Sequence, residues 1–254
     1  MNAPLLSFVI GGAQKCGTTA LANYLALHPR VRLPRVKEAH VFDAPDYRED
    51  WTTADVDARL AGHFDSGSDD AMFGDATPIS LFVPACVQRM ARYNPAMRWI
   101  VLLRDPVERA ISQHHMEHAR GDEPLGLFDA VRAEPRRLRG HAQDLSPGSP
   151  LRHWSYAARG RYAGQLDNLY RHFPRRQVLL LRSRDLAEHT AQTVGQALDF
   201  LGLQAKRQGP YPPVFEGGYR PPGVLHPARL LLRWRLRGEK GLLRQRHGID
   251  LDAD

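Results

Sequence analysis

The sequence contains few cysteines and no long apolar run. Its 254 residues include two cysteines, Cys16 and Cys86, which are too few for a disulfide framework. A protein without disulfides needs no oxidising compartment, so we expect a cytoplasmic location. The longest apolar runs, residues 5–10 and 100–103, are much shorter than the roughly 20 residues of a membrane-spanning helix. The first run lacks the preceding basic segment of a signal peptide, and we interpret it as a buried strand.

Lysine is also scarce, although the chain is basic. Four of the 35 Lys and Arg residues are lysines, namely Lys15, Lys37, Lys206 and Lys240. The formal net charge is +7, which favours an anionic ligand or acceptor, a nucleic acid or a membrane surface as partner. The alternative is that the charge serves solubility, which the charge by itself does not exclude. Each of the few lysines is therefore a candidate for a specific role.

The composition and the apolar pattern predict one α/β domain over residues 1–254. Apolar residues make up 43% and charged residues 25% of the chain, which excludes a wholly disordered or collagen-like protein. Buried apolar strands alternate with helices, as they do in parallel α/β folds. The predicted strands are residues 5–10, 31–33, 99–103 and 177–181, and the predicted helices are residues 18–27, 54–64, 81–93, 106–119, 162–173 and 186–201.

Three segments depart from this alternation. Residues 134–153 and 209–223 are rich in proline and glycine and predict irregular loops, which often act as lids or binding loops; disorder is the alternative. Residues 226–247 predict a basic helical tail with a solvated charged face, which also suits peripheral contact with a membrane. The tail has one aromatic side chain of the Phe, Trp and Tyr type, Trp234, so it lacks the stacking residues of RNA-binding folds and we expect no nucleic-acid partner.

A glycine-framed loop connects the first strand to the first helix. Gly12 and Gly17 have the spacing that lets backbone N–H groups at a helix start surround a phosphate. The pattern matches the P-loop, G-x-x-x-x-G-K-[ST], except that Thr18 replaces the lysine. A lysine lies inside the loop instead, at Lys15. We therefore expect the loop to hold one phosphate and to present Lys15 to a bond just beyond it. A nucleotide kinase is the alternative, although it requires the missing lysine.

A second candidate phosphate site follows the strand at residues 99–103. Arg104 lies at the carboxyl end of that strand, where open α/β sheets bind ligands. Asp105 has the features of a helix cap, and Ser112 lies two turns further on the same side. A guanidinium and a hydroxyl placed in this way can bind a second phosphate together. The alternative is an ion pair at the helix end, either Arg104 with Glu108 or Asp105 with Arg109.

Together the two motifs resemble the sulfotransferases that use 3′-phosphoadenosine 5′-phosphosulfate (PAPS), most closely the heparan sulfate sulfotransferase-like branch in its bacterial form. The resemblance covers about residues 8–203. It implies a P-loop-like three-layer α/β fold, with a central parallel sheet flanked by helices. It also implies transfer of the sulfuryl group from PAPS to an acceptor hydroxyl of a carbohydrate, lipid or small natural product, with 3′,5′-ADP as the product. Arginines and backbone amides can neutralise this donor, so we expect no metal.

The resemblance assigns roles to individual residues. The family's K-x-G-T-T loop binds the 5′-phosphosulfate, and a strand-end arginine with a helix serine binds the 3′-phosphate. The matching residues here are Lys15, Cys16, Gly17, Thr18 and Thr19 in the loop, with Arg104 and Ser112 at the second site. Residues 37–43 resemble the family's K-E-x-H-F-F-D segment, in which the glutamate is the base. Glu38 is therefore the candidate base, His40 is a reserve base or orients the acceptor, and Lys15 stabilises the leaving phosphate.

Two positions depart from the family's pattern. Ala76 replaces the lysine that the family often carries before Thr-Pro, so a second catalytic lysine is missing there. The family's late Lys-Gly-Arg loop is matched loosely by residues 218–220. Arg220 is therefore a weaker candidate for cofactor binding than the residues of the first two motifs.

A third motif favours a different chemistry. His114, Glu117 and His118 fit H-x-x-E-H, an inverted zinc-peptidase motif, and the two histidines would share one face of a helix. A zinc peptidase is therefore a further alternative. The chain contains twelve histidines, so a chance match is easy, and the same helix already carries Ser112.

Overall fold

The computed structural model describes residues 5–65, 68, 70–204, 210–212, 214 and 221–253. Most of the predicted loop at 209–223, including Arg220, lies outside these residues. By their internal contacts the residues form two compact units. The first unit contains residues 1–103 and 168–215, and the second contains residues 104–167 and 216–254.

The first unit is built on a parallel sheet of five strands, which confirms the predicted fold class. The strands are β1 (Leu6–Gly12), β2 (Val31–Arg32), β3 (Met72–Asp75), β4 (Arg98–Leu103) and β5 (Val178–Arg182). Their order is β2-β3-β1-β4-β5. Because β2 and β3 lie on one side of β1 and β4 and β5 on the other, the winding direction changes between β1 and β4. Sheets of this type bind ligands beyond the carboxyl ends of the strands at that point.

Helices flank these strands or form the second unit. In the described residues they are α1 (Thr18–Leu25), α2 (Thr53–Ala61), α3 (Ile79–Phe82), α4 (Pro84–Tyr93), α5 (Pro106–Arg120), α6 (Leu127–Arg137), α7 (Pro150–His153), α8 (Tyr162–His172), α9 (Ser183–Glu188), α10 (Thr190–Leu201), α11 (Pro227–Arg235) and α12 (Glu239–Leu242). None of them is long and apolar enough to cross a bilayer.

Two predicted helices are each divided in two, and one strand was not predicted. The helix expected at 81–93 breaks at Val83, which is extended (φ −96°, ψ 108°) because Pro84 follows it. The helix expected at 186–201 breaks at His189 and begins earlier, at Ser183. Strand β3 escapes sequence analysis because it is four residues long and has no apolar alternation.

The core around β1 depends on close backbone packing. Trp99 on β4 is fully buried, and its ring lies against the backbone of Gly11. A Cβ atom at Gly11 would lie 2.3 Å from the ring, so any other residue would displace the tryptophan. The end of β1, where the chain enters the glycine-framed loop, is therefore fixed by packing.

Helix α5 is central to the second unit. Its predicted cap is confirmed, because the Asp105 carboxylate accepts hydrogen bonds from the amides of Val107 (2.9 Å) and Glu108 (3.0 Å). Apolar residues of α5, of α6, of the segment between α7 and α8, and of α11 and the residue after it form one buried cluster: Val107, Ala110, Ile111, Ala130, Val131, Tyr156, Ala157, Leu232 and Leu236. The segment predicted as an irregular loop, 134–153, is helical at both ends, in α6 and α7. Glu134 anchors it by accepting hydrogen bonds from the amides of Ala157 and Ala158.

The predicted helical tail at 226–247 is divided rather than continuous. Helices α11 and α12 are separated at Gly238 (φ +83°), and a π-helical turn, Leu243–His247, follows. The arginines and lysine on one side of this tail are paired with acids of α5, of its cap and of α6: Arg229 with Glu108, Lys240 with Asp105 and Arg235 with Glu134. The interpretation as a solvated charged face is therefore wrong for that side.

Candidate active site

The loop between β1 and α1 has the geometry of an anion-binding turn. Lys15 and Gly17 both have left-handed backbone conformations, with φ of +69° and +93°. The amide of Ala13 donates to the carbonyl of Leu102 at 2.8 Å, which ties the loop to β4. Alternating right- and left-handed residues turn successive N–H groups toward a common point, where they can bind an anion. The loop is therefore a candidate phosphate site.

Gly17 is required at the start of α1 for two reasons. It is the N-cap residue, and its φ of +93° strains any residue with a side chain. A Cβ atom there would also lie 3.2 Å from the Cδ2 atom of Leu186 in α9. Thr18 and Thr19 follow as the first residues of the helix, so their amides have no carbonyl partner within it. These amides are available to a phosphate at the helix start.

Lys15 and Cys16, the other two predicted residues of the loop, differ in the exposure of their side chains. Lys15 is half-buried, whereas the Cys16 side chain is fully buried. The Cys16 amide donates to the carbonyl of Ala13 at 3.1 Å. It would reach a phosphate only by sharing that bond, so its contribution to the loop is to close the turn that places Lys15.

The segment predicted as the acceptor site forms a network of four charged side chains. Lys37 Nζ lies 2.6 Å from Glu38 Oε1, and the other Glu38 oxygen lies 3.3 Å from His40 Nε2. His40 Nδ1 contacts the Asp43 carboxylate at 2.8 Å. Glu38 and His40 both have left-handed conformations, with φ of +70° and +52°. Strain of this kind persists where surrounding contacts hold it, and it is frequent at functional sites.

Protonation in this network follows from its contacts. Burial alone would lower the pKa of His40, but hydrogen bonds to Asp43 and Glu38 and their charges raise it to about 9. Burial likewise opposes ionisation of Glu38, but the hydrogen bond from His40 and the charge of Lys37 hold the pKa of that carboxyl below its usual value. At neutral pH His40 is therefore an imidazolium and Glu38 a carboxylate.

Asp75 anchors this segment, and sequence analysis did not identify it. It lies at the carboxyl end of β3, is 2% exposed, and accepts a hydrogen bond from the amide of Ala39 at 3.1 Å. Burial raises the pKa of its carboxyl above the usual value. Ala39 lies between the two left-handed residues, so this contact helps to fix the Glu38 and His40 backbone. The contact joins residues 36 positions apart, so no local sequence pattern predicts it.

Arg104 and Ser112 belong to the second unit. Arg104 is half-buried and Ser112 is 8% exposed on α5. Neither expected helix-end ion pair forms, because Glu108 pairs with Arg229 and Asp105 with Lys240. The described residues provide no hydrogen-bond or ion-pair partner for the Arg104 guanidinium or the Ser112 hydroxyl. Both groups are therefore available to a ligand.

Comparison with protein families gives a match over most of the chain. Residues 7–212 match the family described as the sulfotransferase domain. The chain belongs to that family. The prediction of a sulfotransferase is thereby confirmed at the level of the family, and the match includes both the glycine-framed loop and the segment around Glu38.

Individual sulfotransferases give the same result. The chain is 29% identical over 199 residues to heparan sulfate glucosamine 3-O-sulfotransferase 3B1 of Homo sapiens, and 30% identical over 197 residues to heparan sulfate glucosamine 3-O-sulfotransferase 6 of Mus musculus. Each alignment covers 77% of this chain, but 46% and 52% of the two relatives. The chain therefore spans about half the length of these curated relatives.

A solved structure agrees with the predicted fold. The crystal structure of a sulfotransferase from Alicyclobacillus acidocaldarius superposes with a TM-score of 0.78 at 28% identity, covering 97% of both chains. This likeness confirms the P-loop-like three-layer fold that the sequence predicts.

The H-x-x-E-H residues of this sulfotransferase-family chain have other partners. One nitrogen of His114 contacts the carbonyl of Leu125, and one of His118 contacts the carbonyl of Glu123. Glu117 contacts His153 instead, with 2.9 Å between its Oε2 atom and His153 Nδ1. The motif is therefore part of the packing of α5, and the zinc-peptidase alternative is not supported. Arg220 lies outside the described residues, so its role stays a prediction.

Proposed function

We propose that this protein transfers the sulfuryl group of PAPS to an acceptor hydroxyl. The observation that carries the proposal is the loop after β1, whose left-handed Lys15 and Gly17 form an anion-binding turn in place of a kinase P-loop. When bound, PAPS supplies an activated sulfuryl group attached to a phosphate leaving group. In the reaction an acceptor O–S bond forms, the S–O bond to phosphate breaks, and the acceptor proton moves to the protein.

The residues on the donor side bind the negatively charged groups of PAPS. The amides of Gly17, Thr18 and Thr19 hold the 5′-phosphate at the start of α1. Lys15 stabilises the negative charge that gathers on the leaving oxygen as the S–O bond breaks. Arg104 and Ser112 hold the 3′-phosphate through charge-assisted hydrogen bonds. These residues are cationic or neutral donors, so the donor's negative charge is neutralised by the chain itself.

On the acceptor side, Glu38 removes the proton. His40 cannot serve as a base while it is an imidazolium, and its pKa of about 9 keeps it so at neutral pH. It instead donates to Glu38 from one nitrogen and to Asp43 from the other, which fixes the position of the Glu38 carboxylate. Glu38 has a lowered pKa and is a weak base, but the acceptor hydroxyl becomes strongly acidic as its O–S bond forms.

The acceptor class that we favour is a sugar hydroxyl. Two relatives are named for transfer to a glucosamine of heparan sulfate, an anionic glycan. The present chain has a formal charge of +7, which is compatible with an anionic acceptor.

The donor site can be tested by nucleotide binding. We expect 3′,5′-ADP to raise the unfolding temperature without added metal, because a ligand of the native state stabilises it. Arg104→Ala should weaken 3′,5′-ADP binding by about 1.5–3 kcal/mol, and Ser112→Ala by less. Calorimetry with 5′-AMP is the control, since it lacks the 3′-phosphate and its affinity should not change.

Two results would count against this assignment. Tighter binding of ATP with Mg²⁺ than of 3′,5′-ADP would favour the kinase alternative. If wild type, Arg104→Ala and Ser112→Ala all distinguish 3′,5′-ADP from 5′-AMP equally well, these two residues do not bind the 3′-phosphate.

The identity of the base can be tested by pH. If Glu38 is the base and protonated His40 positions it, kcat/KM should be flat near neutral pH and fall as pH rises through about 9, where His40 loses its proton. If His40 is the base, activity should instead rise toward pH 9, because only neutral imidazole accepts a proton. The pH profile of the His40→Gln variant is the control, since it should lack the transition near pH 9 in either case.

A further inference from the structure

The tail of the second unit carries a concentration of exposed apolar side chains. Leu230 and Trp234 on α11 are 47% and 61% exposed, and Val224 and Leu225 just before the helix are 63% and 79% exposed. The other large apolar side chains exposed to a similar degree in the described residues are dispersed along the chain: Leu5, Leu27, Val36 and Phe128. A cluster of this kind marks an interaction surface, whereas single exposed residues do not.

Two arginines beside this cluster lack carboxylate partners among the described residues. They are Arg233 and Arg237, both exposed. Every other Lys or Arg of residues 221–253 forms an ion pair: Arg229, Arg235, Lys240, Arg244 and Arg246. Arg237 lies over the Trp234 ring, 5.7 Å from its centroid. The unpaired positive charge of the tail is therefore concentrated next to its exposed apolar residues.

Helical spacing places Leu230, Arg233 and Trp234 on one surface of α11, and Arg237 follows two residues after the helix ends. Leu230 and Trp234 form an apolar stripe, and Arg233 beside it and Arg237 over the Trp234 ring form a cationic one. Ala228 and Leu232 on the opposite side are fully buried in the core of the second unit. Beside the cationic stripe is a cavity of about 300 Å³. It is lined by the unpaired Arg233 and Arg237, and also by two ion pairs, Lys240 with Asp105 and Arg229 with Glu108.

We infer that this surface, the α11 face, binds an anionic phospholipid bilayer. Leu230 and Trp234 enter the boundary between headgroups and acyl chains, where tryptophan is favoured. Arg233 and Arg237 bind lipid phosphates at the cavity. A soluble glycan would also attract the arginines, but the exposed aliphatic side chains Val224, Leu225 and Leu230 gain little from sugar hydroxyls. The apolar stripe thus favours a lipid surface over a polysaccharide.

The inference can be tested by vesicle flotation with the full chain. We expect binding to vesicles of phosphatidylcholine with about 30% phosphatidylglycerol and little binding to phosphatidylcholine alone. Arg233→Gln with Arg237→Gln should reduce the partition coefficient roughly 25-fold, about fivefold per arginine. Trp234→Ala should reduce it about tenfold. Raising NaCl from about 0.05 M to about 0.5 M should release most of the bound wild-type protein.

Matched variants in the first unit serve as controls. Arg171→Gln with Arg176→Gln removes the same charge from two exposed arginines elsewhere, and Leu27→Ala shortens an exposed apolar side chain. Both should bind vesicles like wild type. The unfolding temperature and the 3′,5′-ADP affinity of every variant check that it is folded. Both should equal the wild-type values in the variants of the α11 face. The result is thus independent of the proposed sulfotransferase activity.

Three results would overturn the inference. The first is equal binding to the two vesicle types. The second is equal loss of binding in the tail variants and in the control variants. The third is unchanged vesicle binding in the tail variants, with a loss of affinity for a heparin-derived hexasaccharide, which would make the α11 face a glycan site.

Discussion

Replacing Lys15 with alanine is expected to lower turnover by about 10²–10³-fold, the usual loss when one donor to a developing negative charge is removed. Lys15 is half-buried, and it is the one cation among residues 12–19, so no other residue of the loop can take its place. Binding of 3′,5′-ADP should weaken much less, because that product lacks the reacting bond. The measurement is kcat with PAPS beside calorimetry with 3′,5′-ADP.

Two further substitutions separate charge from shape at this position. Lys15→Met keeps most of the side-chain length and removes the charge, so it should be as defective as alanine. Lys15→Arg keeps the charge and should recover part of the turnover. A Lys15→Ala enzyme with wild-type turnover would show that this lysine does not act on the leaving group.

Glu38→Gln is expected to lower turnover by about 10²–10⁴-fold, the range for loss of a general base. Glutamine keeps the size of the side chain and has no ionisable group. Because Glu38 acts on the acceptor, affinity for 3′,5′-ADP should stay within about twofold of wild type, unlike the effect of Arg104→Ala. The measurements are single-turnover kinetics with saturating PAPS and calorimetry with 3′,5′-ADP.

His40→Ala is the matched control for this result. If His40 only positions Glu38, its loss should cost less turnover than Glu38→Gln, and Asp43→Asn should give a similar, partial defect. A nearly active Glu38→Gln enzyme beside an inactive His40→Ala enzyme would transfer the role of base to His40. Normal turnover in both variants would place the acceptor site elsewhere.

The features that could be predicted from the sequence are those set by neighbours along the chain. The loop framed by Gly12 and Gly17 and the cap at Asp105 were predicted because each depends on a few consecutive residues with special backbone or capping properties. The apolar runs of β1 and β4 were predicted because both are buried on two faces.

The features that were missed depend on contacts between distant residues. Asp75, at the end of the four-residue strand β3, accepts a hydrogen bond from the amide of Ala39. Neither this short strand nor the contact is predicted by any pattern of neighbouring residues. The pKa of His40 also depends on its folded surroundings, because contacts with Asp43 and Glu38 raise it. The resemblance to the sulfotransferases implied an acceptor segment at residues 37–43, but not which of its groups carries the proton.

The ion pairs of the C-terminal segment limit how far the protein can be shortened. Arg235 is the cation beside the buried Glu134, and Glu239 accepts a hydrogen bond from the amide of Ala163 at 2.6 Å. Deleting residues 227–242 would leave Glu134 without that cation and the Ala163 amide without its acceptor, two losses that are costly in a protein interior. The segment is thus an integral part of the second unit, and any shortening for expression or crystallisation should leave residues 227–242 in place.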